Sequence, residues 1–317
     1  MWAWQLRSPG KMYLTKVPAP RVSELRDGEV LLEVTAVGIC GSDIPKFLNG
    51  GPLQLPGWPA HEIVATVIAG RSVQMATGAR VVGLASSHNG LSQRVISSAE
   101  TLIEVPPQMP DEEAVVIQPL ATAHAALSRV RTMRGASVTI IGLGPLGLLL
   151  AHLAGESGAA AVTGIDRIDR SAIAAAFNVH ETVWSGSHAW ATGPGATHPA
   201  DVVIEAVGHQ TGTLNDAIAI AAPDGHVVGF GVPDDSHYGI DYLTLFRKRL
   251  TLTAGTTHPW QPHLTEARAH LLTHPEIARK LITHVLPACA ASHGYELAAK
   301  PEPSVQKVVI NLTSFAA

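Results

Sequence analysis

The stretch that decides the fold is VTIIGLGPLGLLLAHL, residues 138–153. An apolar, β-branched run leads into three glycines spaced G-x-G-x-x-G, and an apolar run of helical composition follows. In such a unit the first glycine makes a tight turn, the second admits a pyrophosphate and the third lets the helix pack on the strand. The helix amides then face the phosphates, whereas the alternative interpretation is a purely structural turn. We predict a dinucleotide site whose phosphate loop consists of Gly142, Gly144, Pro145, Leu146 and Gly147.

A second strand-like run, AVTGID, ends in Asp166. A carboxylate at this place accepts hydrogen bonds from the adenosine ribose and repels a 2′-phosphate, so NAD is the predicted cofactor and NADP is less favoured. The adjacent Arg167 opposes that preference, because a guanidinium group binds phosphate well. The alternative interpretation of Arg167 is a solvated surface charge.

The chain divides into three stretches by pattern. Residues 1–120 contain short β-rich runs such as EVLLEVTAV and EIVATVIAG, separated by Pro and Gly. In residues 121–258, Ala- and Leu-rich helical segments alternate with apolar strands such as DVVIEAVG, which is typical of a parallel sheet covered by helices. Residues 259–317 end in KVVINLT, a run that resembles the first stretch. We therefore predict an α/β protein in which the last stretch returns to the first β domain.

Composition excludes several classes of protein. The chain has 317 residues, of which 46% are hydrophobic and 15% charged, so it is not generally disordered. A net charge of −4 and the absence of a Lys/Arg run argue against nucleic acid as a partner. No apolar run reaches the roughly 18 residues of a membrane span, and the N-terminus does not resemble a secretion signal. We therefore expect a soluble cytoplasmic protein.

Cys40, in the segment GICGSDIPKF, is one of only two cysteines. The other, Cys289, lies in an Ala-rich stretch and is predicted to be a small buried residue. His61 and Glu62 follow in GWPAHEIV, and Gln118 in QPLATAH comes just before a predicted helix. Cys, His and an oxygen donor from separate loops suit a catalytic zinc that keeps one position open. Taken singly, however, such a Cys is more often a buried hydrophobe and such a His a satisfied polar residue.

The order of these segments resembles that of the medium-chain dehydrogenase/reductase family. GICGSD, HE, the glycine-rich segment, GFGVP and LITHVLP succeed one another as they do in its zinc-dependent alcohol and polyol dehydrogenase branch. The resemblance extends over nearly the whole chain. It implies a GroES-like β-barrel catalytic domain, residues 1–120 and 259–317, interrupted by a Rossmann doubly wound parallel-sheet domain, residues 121–258, with the active site in the cleft between them.

The resemblance also implies a catalytic site. The zinc ligands that it implies are Cys40, His61, Gln118 and, as a neighbouring or alternate ligand, Glu62. The implied activity is hydride transfer between NAD and a small alcohol or ketone, with a polyol, sugar or cyclitol as the expected substrate. Ser42 is the implied first proton acceptor, and Asp43 supports the metal. The family further implies a homodimer or homotetramer formed through edge strands, here GHVVGFGV and LTLTAGT.

The chain departs from the family pattern in three informative places. Residues 82–95, VGLASSHNGLSQRV, lack the four cysteines of the structural-zinc lobe, so we expect one catalytic zinc and no structural zinc. His88 in this segment is predicted to be a surface residue. Gln118 stands where the polyol branch usually has Glu, and Pro45 stands where many members have a His that relays the proton. The relay must then run through the cofactor ribose and water, or through Lys46.

Two other functions remain open at this point. One is a zinc-free NADPH-dependent quinone or enoyl reductase of the same fold, a branch that characteristically lacks the Cys and HE ligands. The other is a dinucleotide-binding protein without catalysis, which Gln118 and Pro45 suggest.

Overall fold

A computed structural model describes residues 1–50, 55–72, 75–313 and 315. The chain forms two compact units. The first comprises Met1–Ala121 and Pro259–Ala317, and the second, Thr122–His258, is inserted into it along the chain. Both helices and sheets are present, and the predicted α/β fold class is confirmed.

Each of the two units contains β-strands that form its sheets. In chain order they are β1 (Trp2–Ser8), β2 (Lys11–Lys16), β3 (Glu29–Gly38), β4 (Glu62–Gly70), β5 (Arg80–Leu84), β6 (Arg94–Ser98), β7 (Leu102–Glu104), β8 (Ser137–Ile141), β9 (Ala161–Asp166), β10 (Glu181–Trp184), β11 (Ala200–Glu205), β12 (Ala221–Gly229), β13 (Thr251–Ala254), β14 (Ile282–Pro287) and β15 (Lys307–Asn311).

The helices are mostly short. In chain order they are α1 (Ile44–Asn49), α2 (Asp111–Ala114), α3 (Ile117–Leu127), α4 (Pro145–Glu156), α5 (Ser171–Ala174), α6 (Ser187–Thr192), α7 (Gly212–Ile220), α8 (Tyr242–Arg247), α9 (Trp260–Thr273), α10 (Pro275–Leu281) and α11 (Ala291–Ala298). Across the described part of the chain, none of them combines the length and the apolar character that a membrane crossing requires.

The second unit is a parallel sheet in the order β10-β9-β8-β11-β12-β13. All of its strand pairs are parallel, and this order is that of the Rossmann dinucleotide-binding fold. The central strands are apolar on both faces because helices cover both sides of such a sheet. The sequence GHVVGFGV was predicted to form an edge. That prediction is wrong for β12, which pairs with both β11 and β13, whereas β13 does lie at the edge.

The first unit is built on a mixed sheet in the order β14-β15-β3-β4-β5-β7, with β6 also pairing with β3. The ten-residue β3 is its longest strand, and its β-branched residues favour an extended chain. From the far end of the sequence, β15 returns to pair antiparallel with β3 and parallel with β14. The strand pair β3–β4 positions the candidate metal ligands described below.

Candidate functional site

The register of β3 on β4 brings the predicted metal ligands together. Gly38, the last residue of β3, pairs with Glu62, the first residue of β4. Cys40 follows two residues after Gly38, and His61 immediately precedes Glu62. The ends of two adjacent antiparallel strands therefore place the thiol, the imidazole and the carboxylate side by side.

Cys40, His61 and Glu62 form a candidate metal centre. Each offers one ligand atom, and these atoms all lie within 4.8 Å of one another. Cys40 is partly exposed, whereas His61 and Glu62 are buried. Glu62 Oε1 is buried without a hydrogen-bond partner among the described residues, which is costly unless a further group satisfies it. Thiolate, imidazole and carboxylate are the ligands that zinc prefers, so these residues fit the metal.

Asp43 fixes the orientation of the His61 ring. Asp43 Oδ1 lies 3.0 Å from His61 Nδ1, and the carboxylate is fully buried. Because this contact engages Nδ1, the other ring nitrogen, Nε2, is left for a metal. A carboxylate bonded to the far nitrogen of a histidine ligand is the usual arrangement behind protein-bound zinc, and it makes the imidazole a better donor.

The electrostatic field at this centre favours a cation. Burial acts to lower the pKa of His61, but the charges of Asp43 and Cys40 outweigh it and raise this pKa well above its usual value. Burial acts to raise the pKa of Asp43, but His61 and then Lys46 outweigh it, so this pKa lies below its usual value. The raised pKa of His61 means that negative charge lies beside the imidazole, and the lowered pKa of Asp43 means that positive side chains keep its carboxylate ionised there.

Ser42 and Gln118 are the other predicted residues of this site. Ser42 Oγ lies 3.4 Å from Cys40 Sγ, and its side chain is partly exposed, so a substrate can reach it. Gln118 is 3% exposed and lies in the first turn of α3, not just before the helix as predicted. The prediction missed the helix start by a residue or two, which is common where a helix begins.

His88 belongs to the same centre, contrary to the prediction of a surface residue. Its ring centroid lies 4.9 Å from that of His61, and its Nδ1 lies 3.4 Å from Lys46 Nζ. The loop between β5 and β6 carries it there, because Ala60 N donates to His88 O and Ala85 N donates to His61 O. Burial, together with the charges of His61 and Lys46, lowers the pKa of His88 to about 4, so this ring is neutral near pH 7.

Lys307 is a second residue that sequence analysis missed. It is 1% exposed, and its ammonium group forms an ion pair with Glu62 and donates to Ile39 O at 3.0 Å. A charged residue at the start of the apolar run KVVINLT was the available signal. Cys289, by contrast, is exposed, so its prediction as a buried residue is wrong: in the turn Ala288–Ala290 it is Ala288 that is buried.

The glycine-rich loop of the second unit has the geometry of a phosphate site. Gly142, directly after β8, has φ +94°, a conformation that favours glycine. A Cβ at Gly147 would collide with Gly142 O, so this glycine allows α4 to pack on the strand. A Cβ at Gly144 would meet nothing within 4 Å. The space beside Gly144 therefore fits a ligand that approaches the backbone at the N-terminus of α4.

Asp166 lies at the end of β9, beside this loop. Its Oδ2 accepts from Leu143 N at 2.7 Å, and its Oδ1 accepts from Ile168 N at 2.8 Å. The carboxylate thus ties the loop to the end of β9 and keeps further lone pairs for a ribose diol. Arg167 is exposed, in agreement with a solvated charge.

Two family models match the sequence. The alcohol dehydrogenase GroES-like domain matches residues 26–106, and the zinc-binding dehydrogenase model matches residues 145–268. Together these matches cover more than half of the chain; the first lies within the first unit, and the second lies mostly within the second unit.

Proteins named as dehydrogenases are among those similar to this chain. A probable zinc-binding alcohol dehydrogenase of Mycobacterium tuberculosis is 27% identical over 85% of this chain and 78% of its own length. D-altritol 5-dehydrogenase of Agrobacterium fabrum is 28% identical over 90% of this chain and 93% of its own length. Among solved structures, alcohol dehydrogenase TADH from Thermus sp. ATN1 shares the fold with a TM-score of 0.84, at 23% identity over 98% of this chain and all of that one.

Replacing Asp43 tests its support of the metal ligand. We expect Asp43→Ala to weaken zinc affinity by roughly 10- to 100-fold, because His61 loses the partner that orients it. Competition with a chromophoric chelator measures the affinity. The matched control is Asp216→Ala, which removes an Asp–His contact of 3.1 Å from the second unit, where none of the ligands lies. Equal zinc affinity in both variants would contradict the role given to Asp43.

Substitutions at two glycines of the phosphate loop distinguish an effect on NADH binding from an effect on folding stability. We expect Gly144→Ala to leave the unfolding temperature nearly unchanged and to weaken NADH binding on the order of tenfold, or about 1.4 kcal/mol. We expect Gly147→Ala to destabilise the protein by about 1–3 kcal/mol, since its methyl group meets Gly142 O. Calorimetry for binding and thermal unfolding for stability distinguish the two. Unchanged NADH affinity in a folded Gly144→Ala protein would argue against a dinucleotide at this loop.

Proposed function

The chain belongs to the medium-chain dehydrogenase/reductase family, in its zinc-dependent alcohol and polyol dehydrogenase branch, and we propose that it transfers a hydride between a secondary alcohol and NAD. The proposed substrate is a polyol, a sugar or a cyclitol. The observation that carries this proposal is the convergence of Cys40, His61 and Glu62 within 4.8 Å.

The proposed metal ligands are Cys40, His61 and Gln118, with Glu62 as a neighbouring or alternate ligand. When bound, zinc supplies a Lewis acid that polarises an alcohol or carbonyl oxygen, and the nicotinamide of NAD supplies the hydride acceptor. The protein supplies the geometry: Asp43 orients His61, and the partly exposed Cys40 leaves this side of the centre open to a small molecule.

The proton of the substrate hydroxyl needs an acceptor at this centre. We assign this role to Ser42 Oγ, which lies next to Cys40 Sγ and is accessible to solvent. Pro45 cannot relay a proton, so the onward route runs through Lys46, or through the cofactor ribose and water. Lys46 is about one-third exposed and contacts Asp43 and His88, which supports a place for it between the site and solvent.

The cofactor is proposed to be NAD rather than NADP. Asp166 carries a negative charge beside the phosphate loop, where it favours a ribose diol over a 2′-phosphate. The relative named for D-altritol supports a polyol substrate, because it aligns with nearly the whole chain.

A pair of cysteine variants tests the proposed function. We expect purified protein to contain about one zinc per chain and to reduce NAD with members of a panel of polyols, sugars and inositols. Cys40→Ala removes a ligand and should abolish both zinc retention and turnover, whereas the exposed Cys289→Ala should keep both. Protein without zinc that reduces quinones with NADPH would instead support the zinc-free reductase. Tight NADH binding without turnover of any substrate would support a non-catalytic protein.

The choice of cofactor depends on Asp166. We expect Asp166→Ala to lower the ratio of kcat/KM for NAD to that for NADP on the order of tenfold, or about 1.4 kcal/mol, because the charge that repels the 2′-phosphate is lost. Asp169→Ala is the control, since this acid lies in the same loop but bonds to Ser171. An unchanged ratio in Asp166→Ala would contradict the assignment.

A further inference from the structure

A buried lysine is in contact with the candidate metal centre. Glu62 opens β4 and Lys307 opens β15, and both side chains are 1% exposed. The Lys307 ammonium group pairs with Glu62 Oε2 and donates to Ile39 O at 3.0 Å. A buried ammonium group is retained only where it is paired, and these two contacts supply the pairing.

The backbone leaves room for this ion pair at Gly38. A Cβ at that position would collide with Glu62 Oε2 and would lie 2.9 Å from Lys307 Cε. The φ angle of Gly38 is not in the region reserved for glycine, so the missing side chain is what matters there. The absence of a side chain at Gly38 thus leaves space for the Glu62–Lys307 ion pair at the end of β3.

The two carboxylate oxygens of Glu62 differ in their contact with Lys307. Both oxygens are buried with no hydrogen-bond partner among the residues described, but Oε2 forms an ion pair with Lys307. A carboxylate oxygen of Glu62 also lies within 4.8 Å of the ligand atoms of Cys40 and His61. One carboxylate therefore stands between a fixed ammonium group on one side and the candidate metal site on the other.

We infer that Lys307 is a positioning residue that keeps Glu62 from becoming a permanent metal ligand. The ammonium group competes with the metal for the same carboxylate, so Glu62 stays close to the metal without occupying its open position. Lys307 also offsets one of the two negative charges that Cys40 and Glu62 place there, and this holds the metal less tightly. The inference rests on the proposed zinc site and names a residue that tunes it.

The zinc affinity of Lys307 variants, measured with a chromophoric chelator, tests whether the Lys307 ammonium group competes with the metal for Glu62. We expect Lys307→Met to tighten zinc binding by roughly tenfold or more, within the range known for residues that contact metal ligands. The effect should vanish in Lys307→Met/Glu62→Gln, because the carboxylate that was released is gone. Lys307→Arg keeps the charge and should keep the affinity. A purely structural lysine would change zinc affinity equally with and without Glu62, and that result would overturn the inference.

A test with a Glu62 variant does not require that the Lys307→Met protein folds. In protein loaded with Co²⁺, we expect Glu62→Gln to leave the visible d–d bands unchanged, since Glu62 is not a permanent ligand. Altered bands in Glu62→Gln would show that Glu62 coordinates the metal at rest, and would overturn the inference. If the unsubstituted protein binds neither Zn²⁺ nor Co²⁺, the proposed function fails and the inference falls with it. Zinc binding that is insensitive to Lys307 would overturn only the inference.

Discussion

The contact between Asp43 and His61 is the interaction on which the candidate centre depends. It is 3.0 Å long and lies where the carboxylate is completely shielded from water, so solvent does not weaken it. It fixes which ring nitrogen of His61 is left for a metal, and it maintains the negative field that a cation needs. Ser42, between Cys40 and Asp43 in the sequence, is held in the same turn, Gly41–Asp43. Orientation, charge and the candidate proton acceptor thus depend on one short segment after β3.

A second layer of charged side chains surrounds this segment. Lys46 contacts Asp43 and His88 on one side, and Lys307 contacts Glu62 on the other. The two buried carboxylates of this segment and its neighbour strand, Asp43 and Glu62, therefore each have a positively charged side chain beside them. Such an arrangement limits how many carboxylates are available to a metal. Fewer carboxylate ligands leave a coordination position more easily open to a small molecule.

Local patterns were enough to predict much of the fold and the proximity of Cys40, His61 and Glu62. The glycine-rich turn was predictable because strand, turn and helix are contiguous in residues 138–153. Cys40 and His61 were identified from their segments and from the order of motifs along the chain. His88 and Lys307 were not, because a backbone hydrogen bond between Ala60 and His88, and the pairing of β15 with β3, decide their positions. Neither this hydrogen bond nor this strand pairing produces a periodic pattern of residues in a single sequence. Cys289 shows the same limit, since a turn decides which of two adjacent small residues is buried.

The return of β15 to β3 has a consequence for biosynthesis. A ribosome makes Lys307 only after the whole inserted unit, Thr122–His258, has been translated. Until then Ala36–Gly38 of the nascent β3 has no strand on the edge where β6 covers only Glu29–Glu33, and Glu62 has no counter-ion. Such open edges favour aggregation. The inserted unit carries all the strands of its own sheet and can fold while still tethered to the ribosome. The ion pair between Glu62 and Lys307, beside the candidate metal ligands, is therefore among the last contacts of the first unit to form.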